Sequence, residues 1–596
     1  MKRLSDAERD GDRVYAVIKG IGASSDGRGK SIYAPAPRGQ VKAIERAYEA
    51  AGVPLETVEL IEAHGTGTRA GDVAEIAGLK EVFSKADRKG RWVALGSVKS
   101  QIGHSKSAAG VAGLVKAAMA LHQRALPPTA RVTTPNPKMD LERSPLYLNP
   151  VARPWIRAKD HPRRAGVSSF GFGGSNFHCV LEEHGDPDAA PPLHAAEAEL
   201  VLIGAPDAAT LGARIEDATR GISASPTLPH AARDLLNAWS PAPHVVGFTA
   251  RTLDELRARL DTARALVANG APGERDGVVY GIPKPDHGRV AVVFPGQGSQ
   301  YVDMGRTMAL RHPMVRAAMD RADEPAFDDA TRRTQEAALT ATEWAQPAIG
   351  ALSKGLYDLL SRFSVRPEAV AGHSYGELVA LHAAGVLDEE GLWTASRVRG
   401  EAMADRGSER GTMAAVSGPL DALRAVLDGL SDDVVLANRN HPQQGVISGS
   451  AEGVERALEA LAKAGLSGTR LRVSAAFHSA LVADARAPFE DALQQIPFHA
   501  PRIPVYSTVT AAPYPAEKEA ARRLLAEQII TPVDWVGVVE ALYDRGVRTF
   551  LECGPHGVLS GLVSRTLADR GAVVVSLDRH RGQIDGDVQL KEALVR

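Results

Sequence analysis

The heptapeptide Ala371-Gly-His-Ser-Tyr-Gly-Glu377 constrains the fold of this chain more than any other stretch. The apolar run over 367–373 predicts a β-strand, and the run over 377–385 predicts a helix. Ser374 then lies on a sharp strand-to-helix turn, and a glycine two residues to either side leaves room for it. Backbone N–H groups at the helix start would face an oxygen that becomes negative during acyl transfer. The alternative is an ordinary glycine-rich turn without chemistry.

Length, charge and cysteine content exclude several classes of protein. A chain of 596 residues exceeds a single core, so we expect two to four domains. The net charge of −2 argues against a dedicated nucleic-acid or membrane-surface protein. Cys179 and Cys553 give neither a disulfide framework nor zinc spacing, and no apolar run is long enough to span a bilayer. We therefore expect a cytoplasmic α/β multidomain protein that holds no metal.

Two histidines in the first segment follow predicted strands and enter glycine-rich turns. His64 follows the strand predicted over 58–63, and His104 follows the strand predicted over 92–98. Side chains in loops at strand ends commonly serve catalysis. Taken alone, however, either histidine could be a hydrogen-bonded structural residue.

Three motifs in this segment resemble the signatures of the C-terminal half of a β-ketoacyl synthase. They are Glu62-Ala-His-Gly-Thr-Gly-Thr68, Lys99-Ser-Gln-Ile-Gly-His104 and Ser169-Phe-Gly-Phe-Gly-Gly-Ser-Asn176. The resemblance implies a thiolase-like fold over residues 1–184, in a family that performs decarboxylative Claisen condensation. It also implies that His64 and His104 polarise the malonyl thioester carbonyl and stabilise the enolate. Lys99 would orient its neighbours, and Phe172 would lie on a gating loop.

The nucleophilic cysteine of that family lies in an N-terminal half that this sequence does not contain. Cys179 follows Asn176-Phe-His178 in an apolar strand, and Cys553 lies far downstream in another domain. Neither is expected to replace the nucleophile. A half site with donors but no nucleophile is expected not to condense anything by itself.

Residues 185–288 are predicted to form a small α/β linker domain. A composition break at Asp186–Pro192 marks its start. The patterns over 200–220 and 245–268 each predict a strand followed by a helix. In modular synthases such a piece holds the condensing domain to the next domain, and no chemistry is expected in it.

The segment over 289–577 resembles the malonyl-CoA:acyl-carrier-protein acyltransferase family. The matching motifs run in order from Phe294-Pro-Gly-Gln-Gly-Ser-Gln300 to Glu552-Cys-Gly-Pro-His556. The resemblance implies an α/β-hydrolase-like core with an inserted ferredoxin-like subdomain. A change to short β and α pieces at about 412–473 agrees with such an insertion, and residues 578–596 would form a tail.

The same resemblance assigns roles to five residues. Ser374 would be the nucleophile and His478 its general base, because a serine hydroxyl needs a base to take its proton. Gln297 and Tyr375 would offer the backbone amides of an oxyanion hole. Arg399 would pair with the malonyl carboxylate, which a guanidinium can hold with two parallel hydrogen bonds. The alternative for Arg399 is a solvated helix face.

Selection of the acyl group is predicted from the residue before the general base. Phe477 resembles the malonyl-selecting motif, in which a bulky ring leaves no room for a methyl group at the α-carbon. Two positions depart from the family pattern. The histidine usually found two residues before that phenylalanine is Ala475, and Tyr375 is not the commonest residue after the nucleophile. Both departures leave malonyl, which Phe477 indicates, as the favoured acyl group.

A ketosynthase half, a linker and an acyltransferase, in this order, form the layout of a type I polyketide synthase. The loop over 24–35 and the Ser-Tyr-Gly turn resemble the iterative and polyunsaturated-fatty-acid-synthase-like branch. We expect transfer of malonyl from malonyl-CoA to the phosphopantetheine of an acyl carrier protein, without a bound cofactor. Expected partners are that carrier, supplied by another domain or chain, and the missing ketosynthase half. Two alternatives stay open, a hydrolase that clears stalled acyl groups and a role of residues 1–184 as a docking scaffold only.

Overall fold

The computed structural model describes most of the chain and divides it into two compact units. The described residues are 1–27, 36–171, 174–185, 196–222, 225–282, 288–322, 336–337, 339–404, 411–430, 433–471, 473 and 475–596. Unit 1 comprises Met1–Leu193 and Ala309–Ala338, and unit 2 comprises His194–Met308 and Leu339–Arg596. Phe172 and the composition break at 186–192 lie outside the described residues. The predicted domain boundaries stay predictions.

Unit 1 is built on a six-stranded mixed sheet. The described strands of unit 1, including two outside that sheet, are β1 (Val17–Ser25), β2 (Leu60–Glu62), β3 (Val93–Gly96), β4 (Ala125–Leu126), β5 (Leu146–Leu148), β6 (Arg153–Pro154), β7 (Arg164–Gly171) and β8 (Ser175–Glu182). Its helices are α1 (Leu4–Asp10), α2 (Pro37–Ala51), α3 (Arg69–Phe83), α4 (Lys99–Ile102), α5 (Ala109–Gln123) and, later in the chain, α10 (Pro313–Ala322). The large sheet has the order β1-β8-β7-β2-β3-β5, and β4 pairs with β6. The strands β7, β2, β3 and β5 are parallel, so the turns after β2 and β3 lie at one edge.

Helix α2 packs on this sheet at β1, where Gly20 and Gly22 let the helix approach closely. It begins at Pro37, a favoured first residue, and ends at Ala51, where Gly52 with its φ of +63° forms a glycine C-cap. A Cβ atom at Gly22 of β1 would lie 2.0 Å from the Ala43 carbonyl oxygen of α2. Only glycine fits at that contact.

Unit 2 contains an antiparallel four-stranded sheet and a larger core. The sheet has the order β11-β12-β10-β9. Its strands are β9 (Glu199–Ala205), β10 (His244–Ala250), β11 (Gly273–Arg275) and β12 (Val278–Gly281), with helices α6 (Ala208–Ile222), α7 (Leu228–Asn237) and α8 (Leu253–Ala268). Both predicted strand-helix pairs are therefore present. The last helix, α20 (Gly586–Val595), packs on this sheet, and Lys591 Nζ donates to the Ala198 carbonyl oxygen at 2.8 Å.

The core of unit 2 is a second six-stranded sheet with the order β20-β19-β14-β13-β22-β23. Its strands are β13 (Arg289–Phe294), β14 (Ala369–Gly372), β19 (Val505–Ser507), β20 (Ala512–Pro513), β22 (Val547–Glu552) and β23 (Val573–Ser576). All neighbours except β19 and β20 run parallel, so the loops after β13, β14 and β22 meet at one edge. Loops at the carboxyl ends of parallel strands are where α/β proteins place their sites. The strands carry small and β-branched buried side chains, as expected for a sheet covered on both faces.

Helices surround the core sheet. They are α11 (Thr342–Arg362), α12 (Gly376–Ala383), α13 (Glu389–Ala404), α16 (Arg486–Gln495), α17 (Lys518–Glu527), α18 (Trp535–Asp544) and α19 (Val558–Thr566), and α9 (Arg306–Arg311) spans the division between the units. No helix within the described ranges is both long and apolar enough to cross a membrane.

A five-stranded sheet with the order β18-β15-β17-β16-β21 forms the small subdomain. Its elements are β15 (Thr412–Ser417), α14 (Leu420–Leu427), β16 (Val434–His441), β17 (Gln444–Gly449), α15 (Ala451–Lys463), β18 (Ser467–Arg470) and β21 (Val533–Asp534). Strand β18 forms one edge of this sheet, where residues 467–470 pair with 414–417 of β15. Strand β21 joins the sheet from a later part of the chain, which the prediction of a simple insertion did not include.

Candidate active site

Ser374 lies between the end of β14 and the start of α12, as the sequence predicts. Its φ is +51°, a left-handed conformation that non-glycine residues adopt at a cost and mostly at functional sites. A Cβ atom at Gly372 would lie 1.9 Å from the Gly376 carbonyl carbon, and one at Gly376 would lie 2.0 Å from the Phe294 carbonyl oxygen. Both glycines are therefore required by the tight turn that presents the serine.

His478 lies against the serine and is held in one tautomer. Its Nε2 is 2.8 Å from Ser374 Oγ. Its Nδ1 lies 3.0 Å from the Gln528 carbonyl oxygen and 3.1 Å from that of Thr531. Because carbonyl oxygens only accept, Nδ1 carries the hydrogen and Nε2 is free to accept the serine proton. Backbone carbonyls thus orient this imidazole as a carboxylate does in a Ser-His-Asp triad.

The imidazole of His478 is kept neutral by its surroundings. Burial, followed by the charge of Arg399 and the neighbouring His373, lowers its pKa to about 3. Its Nε2 is therefore able to accept a proton throughout the neutral range.

Arg399 is a buried arginine at the serine, with only 1% of its surface exposed. Its Nη1 donates to Gln346 Oε1 at 2.8 Å. Its Nη2 donates to Gln528 Oε1 at 3.1 Å and to Ser374 Oγ at 3.3 Å. The alternative of a solvated helix face is wrong. Burial lowers the pKa of Arg399 to about 10, so the guanidinium is still charged at neutral pH, and all three acceptors are neutral groups that an incoming carboxylate can replace.

The residues predicted to form an oxyanion hole lie on either side of the serine turn. A Cβ atom at Gly296 would lie 2.4 Å from the His373 carbonyl oxygen, so the loop carrying Gln297 lies directly against the turn. The side chain of Gln297 is fixed, because its Oε1 accepts from Thr342 Oγ1 at 2.8 Å. Tyr375 immediately precedes α12, where backbone N–H groups have no partner within the helix. The oxyanion role of the two backbone amides stays a prediction.

Phe477 and Ala475, which precede His478 in the chain, are both buried, 7% and 4% exposed. Gln346, which accepts from Arg399, donates from Nε2 to Thr342 Oγ1 at 2.8 Å and contacts Met403 Sδ at 3.5 Å. The role of Phe477 in selecting the acyl group stays a prediction.

Sequence reasoning missed two glutamines that hold the site together. Gln528 donates from Nε2 to the Ser374 carbonyl oxygen at 2.7 Å, and it contacts both Arg399 and His478. It follows α17 without any local pattern that marks it. Gln346 lies in the segment Ala345-Gln-Pro-Ala348, whose proline inside a helix is a visible signal without an assigned role.

Glu377 is a fully buried carboxyl group directly after the turn. It accepts from Thr508 N at 2.8 Å and from the hydroxyl groups of Thr508 and Tyr514. Burial raises the pKa of Glu377, and these donors and Arg399 oppose that rise. The start of α12 is thereby fastened to the segment after β19.

In unit 1 the structure places His64 against His104, which lines a cavity together with Lys99. The ring centroids of the two histidines are 5.6 Å apart, and Lys99 and His104 line the cavity of about 590 Å³. His64 Nδ1 is buried without a hydrogen-bond partner among the described residues. Burial, together with the charges of Lys99 and His104, lowers the pKa of His64 to about 4, and burial also lowers the pKa of Lys99. The catalytic roles of these residues stay predictions.

Two buried carboxylates position the loops of that cavity. Glu75 accepts from the backbone N–H groups of His64 and Gly65 at 2.7 and 2.8 Å. Glu62 accepts from Val98 N at 2.5 Å and from Lys116 Nζ at 2.8 Å. Because Val98 lies directly before Lys99, Glu62 ties the turn after β3 to the end of β2.

Neither cysteine is placed as a nucleophile. Burial raises the pKa of the Cys179 thiol to about 11 and raises that of Cys553 well above its usual value. Both thiols are therefore protonated at neutral pH, and a protonated thiol is a weak nucleophile.

Comparison with known families matches three successive parts of the chain. Residues 291–592 match the acyl transferase domain. Residues 15–133 match the β-ketoacyl synthase C-terminal domain, and residues 135–230 match the ketoacyl-synthetase C-terminal extension.

Similar proteins come from polyketide and fatty-acid synthases. A polyunsaturated fatty acid synthase subunit from Thraustochytrium sp. is 36% identical over 651 aligned residues, covering 100% of this chain and 23% of that protein. A type I polyketide synthase of phenolphthiocerol synthesis from Mycobacterium marinum is 34% identical, covering 97% of this chain and 28% of that protein. The chain thus spans about a quarter of the length of these relatives. The crystal structure of the acyltransferase domain from the second module of the salinomycin polyketide synthase is 30% identical, with a TM-score of 0.54, covering 66% of this chain and 91% of that one. The predicted α/β multidomain fold and the predicted synthase resemblance are confirmed.

Proposed function

Because this chain belongs to the acyl transferase domain family and is an acyltransferase of the polyketide synthase type, we propose that it transfers malonyl from malonyl-CoA to an acyl carrier protein through an acyl-enzyme on Ser374. The observation that carries the proposal is the 2.8 Å contact between Ser374 Oγ and Nε2 of a neutral His478. Malonyl-CoA and the carrier phosphopantetheine enter as substrates, and the proposed reaction calls on no bound cofactor.

The first half-reaction loads the serine. As Ser374 Oγ attacks the thioester carbonyl carbon, its proton passes to His478 Nε2. The carbonyl oxygen becomes negative and faces the backbone amides of Gln297 and Tyr375. When the tetrahedral intermediate collapses, the C–S bond breaks, and His478 returns its proton to the departing thiolate of CoA.

The second half-reaction reverses these roles. The carrier thiol attacks the acyl-serine ester and gives its proton to His478, so that a new C–S bond forms. The C–O bond of the ester then breaks, and the proton returns to Ser374 Oγ. The enzyme ends unchanged, with malonyl on the carrier.

Arg399 is proposed to select donors that carry a free carboxylate. A malonyl carboxylate would replace the neutral acceptors on the guanidinium with a charge-assisted, bidentate pair. When the malonyl carboxylate binds to Arg399, Ser374 Oγ would be released from its hydrogen bond with Arg399 Nη2. The arginine therefore favours transfer of a dicarboxylic acyl group over hydrolytic clearance of simple acyl groups.

Incubation with a panel of acyl-CoA donors, followed by intact mass measurement, tests the proposal. We expect a malonyl adduct on the protein, its absence in Ser374→Ala, and its transfer when carrier protein is added. Arg399→Ala should reduce loading by malonyl-CoA far more than loading by acetyl-CoA. An adduct that persists in Ser374→Ala contradicts the proposal, and hydrolysis faster than transfer with carrier present favours the hydrolase.

A second function, docking, is proposed for unit 1 because it exposes apolar side chains on one helix face. Val111, Val115 and Met119 of α5 are 61%, 56% and 39% exposed and follow each other at four-residue spacing. Exposed apolar patches of this kind mark interaction sites. We propose that a β-ketoacyl synthase N-terminal half, from the same or another polypeptide, covers this face and supplies the cysteine. Val115→Asp should abolish assembly with such a half in size-exclusion chromatography, and unchanged assembly contradicts the proposal.

A further inference from the structure

The hydroxyl group of Tyr375 connects the nucleophile turn to the helix that carries the buried arginine. The side chain is fully buried, and its Oη lies 2.9 Å from Ser396 Oγ. Ser396 and Arg399 are three residues apart on α13, so they lie on the same face of that helix. A hydrogen bond at Ser396 therefore fixes α13 next to the arginine.

The same hydroxyl group contacts the helix that carries the main acceptor of the arginine. A Cβ atom at Gly350 of α11 would lie 2.1 Å from Tyr375 Oη, so only glycine leaves space for the hydroxyl. Gly350 and Gln346 are four residues apart on α11 and share a face. Gln346 Oε1 accepts from Arg399 Nη1 at 2.8 Å. The tyrosine thus lies between the arginine helix and the acceptor helix.

We infer that Tyr375 is a positioning residue, whose side chain holds Arg399 at the geometry that recognises the carboxylate of the acyl donor. The inference rests on the proposed function. A guanidinium discriminates between donors only when it is already aligned, because a misplaced one must reorganise on binding. Nothing in the chemistry of the serine itself requires this hydroxyl. The hydroxyl acts on donor selection through α11 and α13. This role is distinct from the proposed oxyanion role of the Tyr375 backbone amide.

Tyr375→Phe removes the hydroxyl and leaves the ring. A hydrogen bond between uncharged groups typically changes an equilibrium or rate constant by a factor of about 2–10. We therefore expect the ratio of kcat/KM for malonyl-CoA to kcat/KM for acetyl-CoA to fall about three- to tenfold. Ser396→Ala removes the same bond from the other side and should give the same fall. The double variant should show no larger change than either single variant, because both remove one interaction.

Tyr357→Phe is the matched control in the same domain. Its hydroxyl donates to the Ala383 carbonyl oxygen at 3.3 Å, at the end of α12 remote from Ser374. The donor ratio should stay unchanged in this variant. If Tyr375→Phe and Ser396→Ala leave the donor ratio unchanged, whether kcat/KM falls equally for both donors or does not fall at all, the inference is overturned.

Arg399→Ala separates failure of the inference from failure of the proposed function. If Arg399→Ala abolishes the preference for malonyl-CoA while Tyr375→Phe and Ser396→Ala keep it, only the positioning role is wrong. If Arg399→Ala also keeps the preference, the proposed carboxylate recognition is wrong as well. Should Tyr375→Phe not fold, Ser396→Ala alone decides, because it removes a single oxygen.

Discussion

Gly350→Ala tests how tightly α11 packs against the turn that carries Ser374. The new methyl group would lie 2.1 Å from Tyr375 Oη, whereas ordinary contacts begin at 3.4 Å, so one side must move by about 1.3 Å. Overpacking of this kind costs about 1–3 kcal/mol in a buried site. Alanine in place of glycine within a helix contributes about 1 kcal/mol in the opposite direction. We therefore expect a net loss of up to about 2 kcal/mol in the free energy of unfolding.

The same substitution should change sign when the tyrosine hydroxyl is absent. In Tyr375→Phe the nearest remaining atoms are Tyr375 Cζ at 3.2 Å and Trp393 Cζ3 at 3.5 Å, which small shifts can accommodate. The helix contribution then remains without the clash. Gly350→Ala should accordingly stabilise the Tyr375→Phe background by up to about 1 kcal/mol.

Thermal unfolding of the wild type, both single variants and the double variant measures this coupling. A change of 1 kcal/mol corresponds to a shift of about 2–4 °C in Tm for a domain of this size class. We expect Tm to fall with Gly350→Ala alone and to rise when it is added to Tyr375→Phe. Equal destabilisation in both backgrounds would refute the argument, because the Tyr375 hydroxyl would then not be the atom that excludes a side chain.

Three further outcomes follow from the site. Since burial lowers the pKa of His478 to about 3, the rate of Ser374 loading, measured by rapid quench, should stay constant down to about pH 5. Because the unfolded chain takes up a proton at this histidine below about pH 6.5, the free energy of unfolding should decrease as pH falls below that value. A decline in the loading rate centred near pH 6.5 would contradict this reasoning. Gln528→Leu removes the bonds to Ser374 O and to the arginine, so kcat/KM for malonyl-CoA should fall about 10–100-fold, and a normal value would show that the amide positions nothing. Glu62→Gln leaves Lys116 without its carboxylate partner in a mostly buried site. The free energy of unfolding of unit 1 should therefore drop by up to about 3 kcal/mol. An unchanged free energy of unfolding would refute the pairing.

The turn that carries Ser374 could be predicted from sequence because its constraint is local. A serine between two glycines, after an apolar run and before a helical one, leaves few backbone solutions. The observed contacts of 1.9 and 2.0 Å at the two glycine positions are the physical form of that constraint. The C-cap at Gly52 could be predicted for the same reason, since a helix end that needs positive φ selects glycine.

The partners of the turn could not be predicted, because their contacts join distant parts of the chain. Gln528 reaches Ser374 across 154 positions, and no residue near Gln528 marks it. His478 is one of 18 histidines, and only the family resemblance distinguishes it. The burial of Arg399 was equally hidden, because the pattern of α13 alone is compatible with a solvated face. Tyr375 was visible as an unusual residue, yet Gly350 and Ser396, which explain it, lie on two separate helices.

The packing of helix α20 determines which residues must be exchanged together in a domain swap. Helix α20 follows the core sheet of unit 2 in sequence but lies on β9 and β10, where a Cβ atom at Gly247 would meet Val595 Cγ1 at 3.2 Å. A recombination event or engineered swap that joins a foreign acyltransferase after residue 288 would therefore cover the resident four-stranded sheet with a helix selected for another surface. Swaps that carry residues 196–596 together keep that contact native, so the crossover point, rather than the catalytic residues, should decide which hybrid synthases fold.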